Sequence, residues 1–218
     1  MNEFQFIIET VKAKKSGRNC VLLLDNGEEL ECSKDLVLRH NLIKGRILTQ
    51  DALKRIINEQ KVIDVKQTAY NYVSYKPRTE KQVRIRLAGK GFSNDECETA
   101  LTFLREFDLI NDVRYAESFI KDLLKKKPAS ESRIMIDMLK RGIPKSIAIE
   151  AIHKIYPVEA KYDMAVKAAA KKMKLIRHKP IEKRKDSLIR YLQSLGYEWD
   201  LIKRVVNDNF KDSELTED

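Results

Sequence analysis

A pattern that occurs three times constrains this chain more than any other feature of its sequence. Aligned on Gly91, Gly142 and Gly196, which lie 51 and 54 residues apart, the sequence carries apolar residues at matching offsets on both sides. Leu87, Met138 and Leu192 stand four residues before each glycine, and Val83, Ile134 and Leu188 stand eight before. Phe92, Ile143 and Tyr197 follow the glycines directly. Cys97/Ala100/Leu101, Ala148/Ala151/Ile152 and Ile202/Val205/Val206 come six, nine and ten residues after them. Positions eight and four before the glycine share one helical face. Glycine at the helix end takes the left-handed turn that a side chain resists. A second helix then starts at Ser93, Pro144 or Glu198 and closes its apolar face onto the first. A third helix precedes each pair, at about residues 65–75, 113–126 and 158–176, each ending near a proline (Pro77, Pro128, Pro180). The unit is therefore a three-helix bundle of about 45–55 residues, marginal alone and stabilised by stacking on its neighbours.

The segment before the repeats reads differently. Residues 4–11 alternate and are rich in aromatic and β-branched types, residues 20–24 form a second apolar run, and Asn26-Gly27 between runs is a hairpin signal. Glu29–Cys32 predicts a short third strand. Ser33 predicts an N-cap for a helix over residues 35–40, and Thr49 another for a helix carrying Leu53, Ile56 and Ile57. The expected fold is mainly α: tandem three-helix-bundle repeats forming an elongated stack, with a small N-terminal β-rich cap. Its expected divisions are a β-rich extension with a short helix (1–48), a linking helix (49–63) and repeats at 64–111, 112–157 and 158–211. An acidic tail at 212–218 is expected to be disordered.

Charge follows the same division. Of the net +10, residues 61–157 carry 19 Lys/Arg against 13 Asp/Glu, and residues 158–211 carry 14 against 7. Basicity that rises along the repeats suits nucleic acid or an acidic protein surface. Glu3 and Glu9 interrupt the first apolar run, so no signal peptide is expected, and no stretch nears the ~18 apolar residues of a membrane span. Three cysteines (Cys20, Cys32, Cys97) without CxxC spacing predict reduced thiols, a cytoplasmic compartment, and neither disulfide frame nor zinc site. His40, His153 and His178 lie far apart, and the chain has no Gly-rich phosphate loop, nucleophile elbow or HExxH. No catalysis, metal or cofactor is expected.

Candidate contacts are therefore cations. Residues 167–190 hold 10 Lys/Arg against Glu182 and Asp186, and Lys167, Lys171, Lys174 and His178 follow helical spacing, with Arg177 beside them. Such a stripe is either a solvated helix face or a salt-sensitive contact with phosphates or an acidic surface. Lys125, Lys126 and Lys127 read the same two ways, because lysines also favour helix C-termini. Arg84, Arg86, Lys90 and Arg105 mark the first repeat, where the alternative role is pairing with Glu80, and Arg141 is the corresponding candidate in the second. Asp112 predicts an N-cap for the helix that begins at Val113. Tyr70, Tyr72, Tyr75 and Tyr115 could stack bases, but their helical spacing predicts mostly core or half-buried positions.

Three segments carry a family resemblance. Residues 79–92, TEKQVRIRLAGKGF, resemble the Ser-Glu-x-Glu-Leu-Arg-x-Lys-Leu-x-x-Lys-Gly segment of the RecX family. Residues 109–119, LINDVRYAESF, are similar to its Leu-x-Asp-Asp/Glu-Arg-Phe-Ala-x-x-Phe segment, and Arg133–Ile143 to its Arg-Ile-x-x-Glu-Leu-x-x-Lys-Gly-Ile. The chain departs from that pattern at the linker Lys125–Ser130, which has no glycine, and at Met138, where the family has an acidic residue. The resemblance implies a regulator that binds RecA recombinase filaments on single-stranded DNA and restrains their growth, ATPase and strand exchange. Its implied partners are the RecA filament and single-stranded DNA, touched directly or through RecA, with at most weak duplex binding, and the chain is expected to be a monomer. The competing function is a helix-turn-helix transcription regulator. Its recognition helix should expose Arg, Asn, Gln or Ser, whereas NDECETALTFL and KSIAIEAI are acidic or apolar. A generic helical adaptor is the third reading.

Overall fold

Alternating apolar residues at the N-terminus pair into a four-stranded antiparallel sheet. The computed structural model describes residues 5–15 and 17–214, the last four of these as backbone only. Strands β1 (Gln5–Ala13), β2 (Asn19–Leu24), β3 (Glu29–Ser33) and β4 (Ile47–Thr49) stand in the order β3-β2-β1-β4. The Asn26-Gly27 turn sets Leu23 opposite Glu29 and Leu22 opposite Leu30, with Gly27 at a φ of +84°. A bulge falls between Ile8 and Thr10 of β1. β4 was not expected, because its three residues sit between a glycine turn and a helix cap. Helix α1 (Lys34–Arg39) follows β3, and Ser33 caps it by accepting from the Leu36 N–H at 3.2 Å. Ile8, Leu22, Leu24, Cys32, Leu42 and Leu48 bury one face of the sheet against Leu53 and Ile56 of the next helix.

That helix, α2, runs unbroken over Gln50–Tyr75, with Thr49 as its cap. No break falls between the expected linking helix and the first helix of the repeats. The apolar stripe changes sides instead: from Ile56 to Val65 is nine residues, or about half a turn of rotation at ~100° per residue. The first half serves the sheet, where buried Gln60 accepts from the Ser33 N–H at 2.7 Å. The second half, with Val65 and Ala69 buried, packs on helix α4 (Asn94–Glu106). Ser93 and Glu96 close a capping box at the start of α4.

The remaining helices are α3 (Glu80–Ala88), α5 (Asp112–Lys126), α6 (Glu131–Arg141), α7 (Lys145–Ile155), α8 (Val158–Ile176), α9 (Ile181–Ser194) and α10 (Trp199–Glu214). The chain divides into two compact units, one holding residues up to Lys76 with Arg84–Leu109, the other Pro77–Val83 with the chain from Ile110 onward. In the second unit, α5, α6 and α7 share one core around Ile120, Ile134, Met138, Ala148 and Ile152. Helices α8, α9 and α10 share another around Ala165, Ala169, Leu188, Leu192 and Val205. The glycines take the left-handed turn in all three repeats, at φ of +89°, +87° and +80°. The acidic segment expected as a disordered tail from 212 begins inside α10, which is helical to Glu214; residues 215–218 lie outside the described residues.

Two buried hydroxyls join successive middle helices end to end. Thr79 stands at the start of α3 and Ser130 at the start of α6, and both are buried. Each accepts from its own helix, Thr79 from the Gln82 N–H and Ser130 from the Arg133 N–H. Each also donates to the carbonyl that precedes the next repeat's glycine: Thr79 to Arg141 at 2.7 Å, Ser130 to Leu195 at 2.5 Å. A hydroxyl can do both at once, which a carboxylate or amide oxygen cannot. At the second junction, buried Tyr156 donates to the Ala129 carbonyl at 2.8 Å, and Glu131 pairs with Lys161. These bonds stack the third repeat on the second and hold the start of α3 against the end of α6.

Candidate functional site

The basic stripe lies on α8, opposite its buried face. Ala165, Ala168, Ala169 and Ile176 point into the core of the third repeat. Lys167, Lys171 and Lys174 recur at intervals of four and three residues on the other side, all exposed, and Arg177 caps the helix, also exposed. Among the described residues none of these four has a carboxylate partner within salt-bridge distance. The neighbouring cations are partly engaged: Lys172 lies over the Tyr191 ring at 5.2 Å, and Arg184 donates to the Lys179 carbonyl at 2.6 Å. Four unneutralised cations on one exposed face can bind phosphates or carboxylates, and they lose that attraction as salt rises.

The first-repeat cations divide. Arg84 pairs with Glu98 of α4, and Arg105 also approaches Glu98, at 3.9 Å. Arg86 is exposed and lies 5.9 Å from the Tyr72 ring, while Lys90 is exposed beside the turn at Gly91. Arg141 is half-buried, stacked on Phe119 at 4.3 Å and donating to the Asp137 carbonyl at 2.8 Å, which makes it a packing residue of the second repeat. Lys125, Lys126 and Lys127 are exposed at the end of α5. Arg84, Arg86, Lys90 and Arg105 belong to the first compact unit, and Lys125–Lys127, Arg141 and the α8 stripe to the second.

Two further expectations change. Asn111, not Asp112, caps α5, accepting from the Arg114 N–H at 3.0 Å. Asp112 is the first residue of α5, and its carboxylate instead accepts from the Glu80 N–H at 3.0 Å, at the start of α3. Tyr70 and Tyr75 are exposed, at 44% and 84%, rather than half-buried; Tyr72 and Tyr115 are half-buried as expected. Sequence reasoning also missed Thr79 and Ser130. A signal for them was present, since Thr79-Glu80 and Ser130-Glu131 recur at the 51-residue interval of Gly91 and Gly142.

Ion pairs and burial shift several titratable groups elsewhere. The Lys154 ammonium, 2.6 Å away, holds the Glu117 carboxyl below its ordinary range, and the His40 ring at 3.0 Å does the same for Glu59. Burial pushes the Cys32 thiol up to about 11 and raises that of Cys97. Among the described residues no cluster of three or more His, Cys, Asp or Glu is placed to hold a metal ion. Among them, too, no helix is long and apolar enough to cross a membrane.

Comparison with known proteins agrees with the repeat reading. Residues 66–104 match the family description "RecX, first three-helix domain", and residues 159–206 match "RecX, third three-helix domain". The chain is 31% identical over 210 residues to regulatory protein RecX of Clostridium perfringens (strain 13), covering 93% of this chain and 98% of that one. It is 32% identical over 209 residues to regulatory protein RecX of Clostridium acetobutylicum, covering 94% and 96%. A crystal structure of a regulatory protein RecX superposes with a TM-score of 0.73 at 22% identity, over 92% of this chain and 98% of that one. The crystal structure of RecX from Lactobacillus salivarius gives 0.63 at 25% identity, over 68% and 96%.

Proposed function

The chain belongs to the RecX family, and from that premise we propose that it is a non-enzymatic regulator of RecA, binding RecA filaments on single-stranded DNA and restraining their growth, ATPase and strand exchange. The observation that carries this reading is the likeness to regulatory RecX proteins over nearly the full length of both chains. Restraint of this kind needs no bond chemistry. It needs tighter binding to one filament state, or cover over the surface that the next subunit must use.

The exposed α8 stripe supports an electrostatic part in that binding, with Lys167, Lys171, Lys174 and Arg177 as its contacts. Arg86, Lys90 and Lys125–Lys127 are further contacts, whereas Arg84 is paired with Glu98 and Arg141 stacks on Phe119. Partners are RecA and single-stranded DNA, and the working compartment is the cytoplasm. The direct test is filament growth on a labelled single-stranded oligonucleotide, followed by anisotropy. Added protein is expected to slow growth in proportion to its concentration; growth unaffected by a saturating excess would overturn the reading. Tight binding to duplex with a base-sequence preference would favour a transcription regulator instead.

A further inference from the structure

The three glycine turns are built alike, yet two are covered and one is bare. In each, the glycine N–H donates three residues back and the next N–H five back: Gly91 to Ala88 and Phe92 to Leu87, Gly142 to Leu139 and Ile143 to Met138, Gly196 to Gln193 and Tyr197 to Leu192. The carbonyl just before the glycine is left for a neighbour. Arg141 and Leu195 receive the Thr79 and Ser130 hydroxyls there. Among the described residues the Lys90 carbonyl receives none. A Cβ on Gly142 would overlap the Lys81 stem, and one on Gly196 would lie 3.1 Å from the Ser130 hydroxyl. One on Gly91 would meet nothing within 4 Å, and Ala88, Gly89, Lys90 and Gly91 are all exposed.

We propose that the bare turn at Gly91 is a docking surface for the N-terminus of a helix in the protein partner, one that opens with Ser or Thr followed by an acidic residue. The chemistry is that of the two filled turns. A capping hydroxyl accepts from its own helix and donates to the open carbonyl, and the positive end of one helix dipole meets the negative end of another. Thr79-Glu80 and Ser130-Glu131 supply that start within the chain. Lys90 stands exposed beside the turn for the acidic residue, a charge that half-buried Lys161 of α8 supplies to Glu131. The negative end of a helix repels phosphate, so this turn selects protein over nucleic acid. A second copy of the chain is a poor occupant. Its Thr79 and Ser130 are spent internally, and its α9 begins at Pro180, which makes no side-chain cap and carries no hydroxyl.

This inference rests on the reading that RecA is the partner, and the test separates the two. The full-length protein carrying p-benzoylphenylalanine in place of Lys90 is irradiated on RecA filaments formed on single-stranded DNA, and the crosslinked residues are mapped. A second sample carries the crosslinker in place of Leu175, which is 72% exposed at the end of α8. The expected result is a crosslink from position 90 to RecA within one turn of a helix start capped by Ser or Thr. Alongside it, Ala88→Glu with Lys90→Glu should raise the half-inhibiting concentration about tenfold, the loss expected when like charge and a missing bond are set at one helix end. Its melting temperature should match that of the wild type. Inhibition with crosslinks from position 175 but none from 90, or crosslinks from 90 to a strand or loop, overturns the inference alone. A wild-type chain that neither crosslinks nor inhibits overturns the functional reading and this inference with it.

Discussion

At the residue scale, the junctions turn on which groups can be satisfied in a buried place. Thr79 and Ser130 are polar and buried, and a buried hydroxyl without partners would cost about 1–3 kcal/mol. Each instead satisfies one helix start and one helix end. Single glycines test this. Gly91→Ala should cost about 1 kcal/mol, the left-handed strain alone, because nothing lies near the added carbon. Gly142→Ala adds overlap with the Lys81 stem to the same strain and should cost distinctly more. Urea unfolding of both variants measures the difference, and equal losses would count against the junction. Cys32 offers a second test. Burial, then nearby Cys20, Asp64 and Glu31, push its thiol up to about 11, against about 8.5 for a free thiol. Folding therefore favours the protonated form. The stability this contributes is complete below the free value and is lost as pH rises towards the folded one. The urea midpoint should fall between about pH 8.5 and about 11, and Cys32→Ala should flatten that fall; an unchanged slope would refute the assignment. The glycine turns and their apolar offsets could be read from sequence because they depend on near neighbours. The Thr79–Arg141 and Ser130–Leu195 bonds span more than sixty residues, and no local rule contains them.

At the element scale, α2 shows how a sound local reading can divide one helix into two. No glycine or proline interrupts residues 50–75, but the apolar stripe moves by about half a turn midway, because the sheet and α4 take different faces. A single face implies a single partner, and here there are two. Asp112 shows the opposite limit: a carboxylate that accepts at a helix start was legible, but the N–H it accepts from is that of Glu80 in α3, beside Thr79, brought close only by the fold. Helix α8 is the simplest case. Ala165, Ala168 and Ala169 are buried on one face and Lys167, Lys171 and Lys174 are exposed on the other. What sequence leaves open there is contact against solvation. Replacing Lys171, Lys174 and Arg177 with Ala should weaken filament inhibition and flatten its salt dependence. On single-stranded DNA the logarithmic slope should fall by about 0.7 for each phosphate no longer neutralised. A titration at several salt concentrations measures that slope. An unchanged slope would assign the stripe to solvation.

At the scale of the whole molecule, a sheet-bearing segment and three copies of one helical unit place cations on several exposed faces while their cores remain ordinary. The repeats carry the family likeness, and the filled turn at Gly196, through the Ser130 bond, joins the third repeat to the second. The central claim is that occupancy of the RecA filament restrains the recombinase. ATP hydrolysis by RecA on single-stranded DNA, followed while the full-length protein is titrated in at physiological salt, tests it most directly. Hydrolysis is expected to fall with added protein to a low plateau, and hydrolysis unchanged at saturating protein would contradict restraint by occupancy.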